Sequence, residues 1–277
     1  MVDLQPLFSR LALDSSTEFL FGDSVGSLSP NTVSIDAKSF LEAYDYGQTV
    51  VGRRLHLPQW NILTRDKSFR ESCKIAHDFV ESYIIKGQNM VQESRKDGLP
   101  LKRYILAHEL IKETGDLDNI RNQLLNIFPP THEAVGVALT NVFFNLARHP
   151  HVYTNLHHGI LAAAEGQTQW TFERLKSVRY LQHVINETFR LNPAIGTNTR
   201  MALQDTILPT GGGPNGNSPV FVKEGDIATT SLYALHTRQD LFGDEANTFR
   251  PERWETLRPV HWSYLTFGGG PRICPAQ

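Results

Sequence analysis

Residues 117–150 constrain the fold of this chain more than any other stretch. In LDNIRNQLLNIF, Ile120, Leu124 and Ile127 fall on one helical stripe. In PPTHEAVGVALTNVFFNLARHP the stripe resumes through Val135, Leu139, Val142, Phe143 and Leu146. The spacing predicts one long helix, interrupted in its middle by Pro129 and Pro130, which remove backbone donors and kink it. Thr131 is suited to cap the segment that restarts after the break. A broken helix interior also points to function.

Helices flank this segment on both sides. SFRESCKIAHDFVESYIIKG sets Ile75, Phe79, Tyr83 and Ile84 at helical spacing, which places Cys73 on an amphipathic helix as a small, structural thiol. YILAHELIKET reads as a short helix and HVYTNLHHGILAAAEG as another. FERLKSVRYLQHVINETFRL reads as a pair, the second ending before Pro193. From residue 200 the period changes: RMALQDTILPTGGGPNGNSPVFVKEGDIATTSLYALH alternates and carries a Gly-Pro-Asn-Gly turn between short extended runs. The fold class is therefore mostly α with a small β component, α+β in arrangement.

With 277 residues, 40% of them hydrophobic and 10% aromatic, the chain has enough apolar matter for a real core. Lys and Arg number 27 against 29 Asp and Glu, so no charge excess draws it to nucleic acid, and none is expected as a partner. The apolar runs are too short for a membrane span and the start lacks a signal core, so the chain reads as soluble as written. Cys73 and Cys274 are the only cysteines, in dissimilar settings that fit a reducing compartment better than a disulfide. Zinc bound by His151, His157 and His158 lacks a consistent ligand spacing.

The chemistry concentrates at the end, in YLTFGGGPRICPAQ. Glycines let a backbone approach a bulky group closely. Arg272, two positions before Cys274, supplies a fixed charge beside a thiol, and a thiolate is a metal ligand. An unremarkable Gly-rich turn is the bland alternative. In NETFR, Glu187 and Arg190 share a helix face. That spacing is usually a surface ion pair, but Val184, Ile185, Phe189 and Leu191 around it imply enclosure, where charges need full pairing. Arg253 in FRPERW offers a further cation.

Taken together, FGGGPRIC, ETFR and FRPERW resemble, in order and separation, the haem loop, the Glu-x-x-Arg helix and the Pro-Glu-Arg segment of the cytochrome P450 family. The text around DLQPLF, LDSSTEFLFG, LARHP and LPTGGGP is similar to fungal alkane and fatty-acid hydroxylases, and the resemblance covers essentially all of residues 1–277. It implies a partial cytochrome P450 domain over 1–277, without the N-terminal anchor, the early helices and the helix after the cysteine. It implies haem b with Cys274 as the thiolate ligand of iron, and Glu187, Arg190 and Arg253 as a structural triad. Arg272 and Arg200 would hold propionates, and Phe267, Gly268 and Gly270 would shape the cysteine loop. His236 is as fit for a core or cap role as for a haem contact.

The resemblance further implies a monooxygenase that inserts one atom of O2 into a C–H bond of a small apolar substrate, an alkane or fatty acid. Its electrons would come from NADPH through NADPH-cytochrome P450 reductase. A full-length relative would sit at the endoplasmic reticulum membrane, on the cytosolic face. Aligned on the family's central helix, the proton-relay acid falls on Glu133, while the alcohol positions hold Ala134 and Val135. Thr131 and His132 stand nearby as replacement donors. The missing alcohol leaves open a peroxide-using or isomerising haem-thiolate enzyme, and the chain ends leave open a haem-free, inactive fragment.

Overall fold

The computed structural model describes residues 2–29, 35–56, 66–97, 103–165 and 169–276, which fall into two compact units, Met1–Val137 and Ala138–Gln277. The first unit is built of helices. α1, Gln5–Phe21, has a proline in its first turn, where the missing N–H is no loss, and stops at Gly22. Gly22 has φ +84°, its N–H bonds the Glu18 carbonyl at 2.9 Å, and a Cβ there would lie 2.6 Å from Ile105 Cδ1. Only glycine meets both demands. α2, Ile35–His56, packs along α3, Lys67–Asp97, and α3 in turn on the short α4, Leu106–Glu113.

The last element of this unit is the beginning of α5, which runs from Leu117 to Arg148. Its buried stripe is Ile120, Leu124 and Phe128, none of them exposed, with Ile127 only partly buried beside them. Around Phe128 the core is aromatic. Phe40 stacks on Phe79 with centroids 4.2 Å apart and meets Phe128 edge-on at 5.3 Å, while Tyr44 meets Phe128 edge-on at 4.8 Å.

The one long helix expected here is present, with Pro129 and Pro130 inside it; it does not restart after them, so there is no second helix start for Thr131 to cap. The Thr131 hydroxyl instead donates backward to the carbonyls of Ile127, at 3.0 Å, and Phe128, at 2.9 Å. Packing of Ile120, Leu124 and Phe128 holds the backbone helical across the lost donors, since tertiary burial outweighs local propensity. The second half of the expected stripe is only partly realised. Leu146 is buried, but Val135 and Phe143 are 44% and 43% exposed.

In the second unit Leu146 packs with Val152 and Leu156 of α6, Pro150–Ala164, and with Val184 of α8, Arg179–Leu191. The short α7, Phe172–Ser177, precedes α8 and is capped by Thr171, whose hydroxyl accepts from Arg174 N. Asn145 donates to the side-chain oxygen of Asn192 at 3.0 Å, and Asn141 to its carbonyl at 3.2 Å, fastening the end of α8. Strands β1, Thr197–Met201, and β4, Ile227–Ser231, pair antiparallel with Thr197 opposite Ser231. β2, Thr206–Gly212, and β3, Ser218–Val222, form a separate antiparallel ribbon around the expected turn, where Gly213 and Gly216 both have positive φ. Among the described residues the small β component is thus two ribbons. Two short helices, α9 at Leu232–His236 and α10 at Gln239–Phe242, and 3₁₀ turns at Pro251–Glu255 and Gly270–Arg272 complete the unit. Among the described residues no helix is long and apolar enough to cross a membrane.

Candidate functional site

α8 carries the centre of the second unit. Glu187 and Arg190 are fully buried and Arg253, from the 3₁₀ turn, is 5% exposed. Glu187 Oε1 accepts from Arg190 Nη2, Arg253 Nε and the Arg250 backbone N–H, each at 2.9 Å. Its Oε2 accepts from Arg190 Nε at 2.9 Å and Trp254 Nε1 at 3.0 Å. Burial alone would push the Glu187 carboxyl up; the hydrogen bonds and charges of Arg190, Arg250 and Arg253 hold it below its usual range. Two guanidinium groups against one carboxylate leave a buried positive excess, which backbone carbonyls absorb. Arg190 Nη1 donates to His236 and Ala246, and Arg253 Nη1 and Nη2 to Phe242, Glu245 and Thr248. Glu187 is thus ion-paired with both Arg190 and Arg253 inside the unit.

This lock extends to the cysteine loop. His236 is fully buried, its Nδ1 3.2 Å from the Arg190 carbonyl, and its Nε2 accepts from the Leu265 N–H at 2.9 Å. The proton therefore sits on Nδ1, and burial first of all drives the pKa down to about 4, so the ring is neutral. His236 is a core bridge between α8 and the approach to the loop. Tyr264 adds a second tie, donating its hydroxyl to the Asn186 carbonyl at 3.1 Å, and its ring meets Trp254 at 5.0 Å. Neither bridge is visible in the motifs; the partners lie far apart in the sequence, and only the apolar company of His236 hinted at burial.

Beyond Leu265 the chain turns into the glycine segment. Gly268 and Gly270 have φ of +77° and +72°, open to glycine at little cost. Gly269 is extended, but a Cβ there would lie 2.3 Å from the ring of Trp262, itself at φ +69°. The loop closes where Cys274 N–H donates to the Phe267 carbonyl at 2.9 Å. The Phe267 ring packs edge-on against Phe189 of α8 at 6.0 Å. Cys274 is half-buried and its thiol is free. Arg272 is exposed, with no hydrogen-bond or ion-pair partner among the described residues. Arg200 lies exposed on β1, held by the Asn198 side chain and by the Thr199 carbonyl at 2.8 Å. A Cβ on Gly268 would come 4.0 Å from Asn198 Nδ2, so β1 runs beside the loop.

Thr131, His132 and Glu133 belong to the first unit. Thr131 spends its hydroxyl proton on its own helix. Glu133 is exposed. His132 is half-buried on Phe128, 5.5 Å between centroids, with Nδ1 unpartnered; burial lowers its pKa against the pull of Glu133 and Asp45. Cys73 lies half-buried on α3, its thiol pushed up mainly by burial. Among the described residues no three His, Cys, Asp or Glu side chains gather to hold a metal ion.

Fold and site together define a helix-rich protein whose free thiol sits at the mouth of a glycine loop, braced by an enclosed Glu-Arg-Arg lock. Comparison with known proteins gives the family: the model for cytochrome P450 matches residues 1–276, and the chain belongs to the cytochrome P450 family. It is similar to cytochrome P450 52A13 of Debaryomyces hansenii, 38% identical over 288 residues, covering 100% of this chain and 55% of that protein. It is also similar to cytochrome P450 52A1 of Candida tropicalis, 38% identical with 99% and 53% covered. The cytochrome P450 monooxygenase himC of Aspergillus japonicus is 39% identical, with 100% and 50% covered. The chain spans about half the length of the curated relatives it matches.

Proposed function

We propose that the chain is part of one haem-thiolate monooxygenase domain, with Cys274 as the ligand of a haem iron. The observation that carries this reading is the loop itself: a free, half-buried thiol closed by Cys274 N–H to Phe267 O, tied to the buried lock through His236 and Tyr264. The donor set fits such a group. Arg272 and Arg200 have no carboxylate partner among the described residues and are apt for two propionates. Gly268, Gly269 and Gly270 keep side chains off the loop. When bound, the haem supplies oxygen activation, with the thiolate pushing electron density toward O–O cleavage.

The residues of this chain have the supporting tasks. The lock fixes α8, α8 fixes the approach to the loop, and Phe267 on Phe189 seats the loop against the helix. His132, neutral and with an unpartnered Nδ1, is the proposed proton-holding group, with Glu133 beside it. The substrates proposed are alkanes or fatty acids, the oxidant O2, and the electron source NADPH through its P450 reductase at the endoplasmic reticulum surface. A second reading, a peroxide-using or isomerising enzyme, is favoured by one observation: the Thr131 hydroxyl is already engaged, and Ala134 and Val135 carry none.

Haem titration of the chain tests the assignment. The reduced carbon monoxide complex is expected to show the red-shifted Soret band of thiolate ligation, lost in Cys274→Ala and kept in Cys73→Ala. A spectrum unchanged in Cys274→Ala overturns it, and failure to take up haem at all favours the inactive fragment. Turnover with hydrogen peroxide but none with reductase and NADPH selects the second reading.

A further inference from the structure

The Gly-Pro-Asn-Gly turn is a motif of the sequence that the haem reading does not use. It closes the β2–β3 ribbon, and within it Asn215 and Gly216 form the only Asn-Gly pair in the chain. Pro214 and Asn215 take the two corners of a reverse turn, closed where the Gly216 N–H donates to the Gly213 carbonyl at 3.2 Å. The Gly211 N–H donates to the Gly216 carbonyl at 2.7 Å and fastens the turn to the ladder. Before the corner the glycines are tightly set. A Cβ on Gly212 would lie 2.9 Å from the Pro219 carbonyl oxygen, and one on Gly213 would lie 2.7 Å from Ser218 Oγ. Gly216 differs: its φ is +68° and a Cβ there would meet nothing within 4 Å. Asn215 and Gly216 are exposed, and the Asn215 side chain has no hydrogen-bond partner among the described residues. No residue of β2 or β3 is buried, so little beyond the ribbon's own ladder resists local opening.

We propose that Asn215 is a site of spontaneous deamidation, at which the ribbon tip is slowly rewritten in the folded chain. The Gly216 backbone nitrogen attacks Asn215 Cγ. The new N–Cγ bond closes a succinimide ring, the Cγ–Nδ2 bond breaks, and Nδ2 leaves as ammonia with the proton of the Gly216 amide. Water then opens the ring, at Cγ to give aspartate or at the backbone carbonyl carbon to give isoaspartate, and nothing is oxidised or reduced. Glycine after the asparagine leaves the attacking nitrogen open, where a Cβ would crowd it. The bond from Gly216 N–H to Gly213 must open first, which makes the step slower than in a free peptide and ties its rate to opening of the tip. Isoaspartate lengthens the backbone by a methylene, so the bonds from Gly216 to Gly213 and from Gly211 to Gly216 cannot both re-form. Either product adds a negative charge to a chain whose formal net charge is -2. The modification therefore marks the age of the molecule and loosens one ribbon of the second unit. None of this rests on the haem reading.

The test incubates the whole chain in mildly alkaline buffer beside a free peptide of residues 210–219, and follows both by peptide mass and by isoaspartyl methyltransferase labelling. Deamidation is expected at Asn215 several-fold faster than at any other asparagine, Asn217 and Asn198 included, with helix content unchanged by circular dichroism. Gly216→Ala should slow it several-fold. In hydrogen exchange the Gly211 and Gly216 amides should lose protection in the isoaspartate form and keep it in Asn215→Asp, which has the charge without the longer backbone. Asn215 left intact once the free peptide has converted overturns the proposal, because the turn then protects its own asparagine. Equal rates at Asn215 and Asn217, or no slowing in Gly216→Ala, overturn it as well. A rate in the chain equal to that of the peptide would mean a tip already open and overturn the control by the fold, and amides still protected in the isoaspartate form would overturn the loosening.

Discussion

The first unit is held by aromatic packing, the second by a buried charge. Phe40, Phe79, Tyr44 and Phe128 meet through faces and edges that adjust to one another, and such cores accept changes that keep volume. Glu187 has no such tolerance: each carboxylate oxygen is spoken for by named donors, and the guanidinium groups are in turn spent on backbone carbonyls. Packing specifies that a region is compact. A saturated ionic lock specifies where each backbone segment stands, which is what a loop presenting one thiol requires.

The largest effect expected from this contrast is at the lock. Glu187→Ala strands two buried guanidinium charges and should cost about 3 to 5 kcal/mol in urea unfolding. Arg190→Lys should cost nearly as much, because an ammonium cannot span Glu187, His236 and Ala246 at once. Leu124→Met, at an equally buried place in the first unit, should cost less than about 1.5 kcal/mol. If Arg190→Lys proves as mild as Leu124→Met, the lock is no more specifying than the aromatic core.

What was legible in the sequence follows the same divide. Helical stripes are local, so α3, α4, α5 to α8 and the β2–β3 turn could be read from spacing and from glycine and proline. Glu187 and Arg190, one turn apart, could be read as a pair. The rest depends on partners distant along the chain. Nothing in Trp254 announces a bond to Glu187 67 positions away, nor in His236 a bridge from Arg190 to Leu265. α5 could be read as one long helix, but not that it continues without a restart at Pro129 and Pro130: local chemistry argues for an interruption, and the aromatic cluster that overrides it comes from α2 and α3. Val135 and Phe143 show the converse: they belong to the local stripe yet stay 44% and 43% exposed.

A second, somewhat smaller effect sharpens the comparison through pH. His236 titrates near pH 4 in the fold against about 6.5 when unfolded, so the unfolded chain takes up the proton first. Stability is full above pH 6.5 and falls as pH drops toward 4, by on the order of 3 kcal/mol. Glu187, whose folded pKa is depressed, contributes stability above about pH 4.5 that is lost only at lower pH. The emission of Trp254, bonded to Glu187, should report the loss in the second unit. His236→Gln should flatten the stretch between pH 6.5 and 4 and leave the acid limb. His108 and His132 in the first unit and His183 in the second are also shifted down, mainly by burial, and add to the first window. A curve unchanged by His236→Gln would assign the whole window to them and remove His236 as the pH-sensitive link.

The smallest effect separates the lock from the loop it supports. Gly269 needs to be glycine because of the Trp262 ring, whereas Gly268 and Gly270 need to be glycine because of φ. Trp262 is 53% exposed, so its ring has room to swing away, and Gly269→Ala should cost only about 1 kcal/mol. Gly268→Ala has no neighbour to push, and its cost of about 1 to 2 kcal/mol would come from the left-handed backbone alone. Trp262→Ala should therefore rescue Gly269→Ala and leave Gly268→Ala unrescued, a coupling that a double-mutant cycle measures. Equal rescue of both would mean that Trp262 strains the loop backbone as a whole. No rescue of either would mean that the ring merely rests on the glycines, and that the loop takes its shape from His236, Tyr264 and the Cys274 to Phe267 hydrogen bond alone.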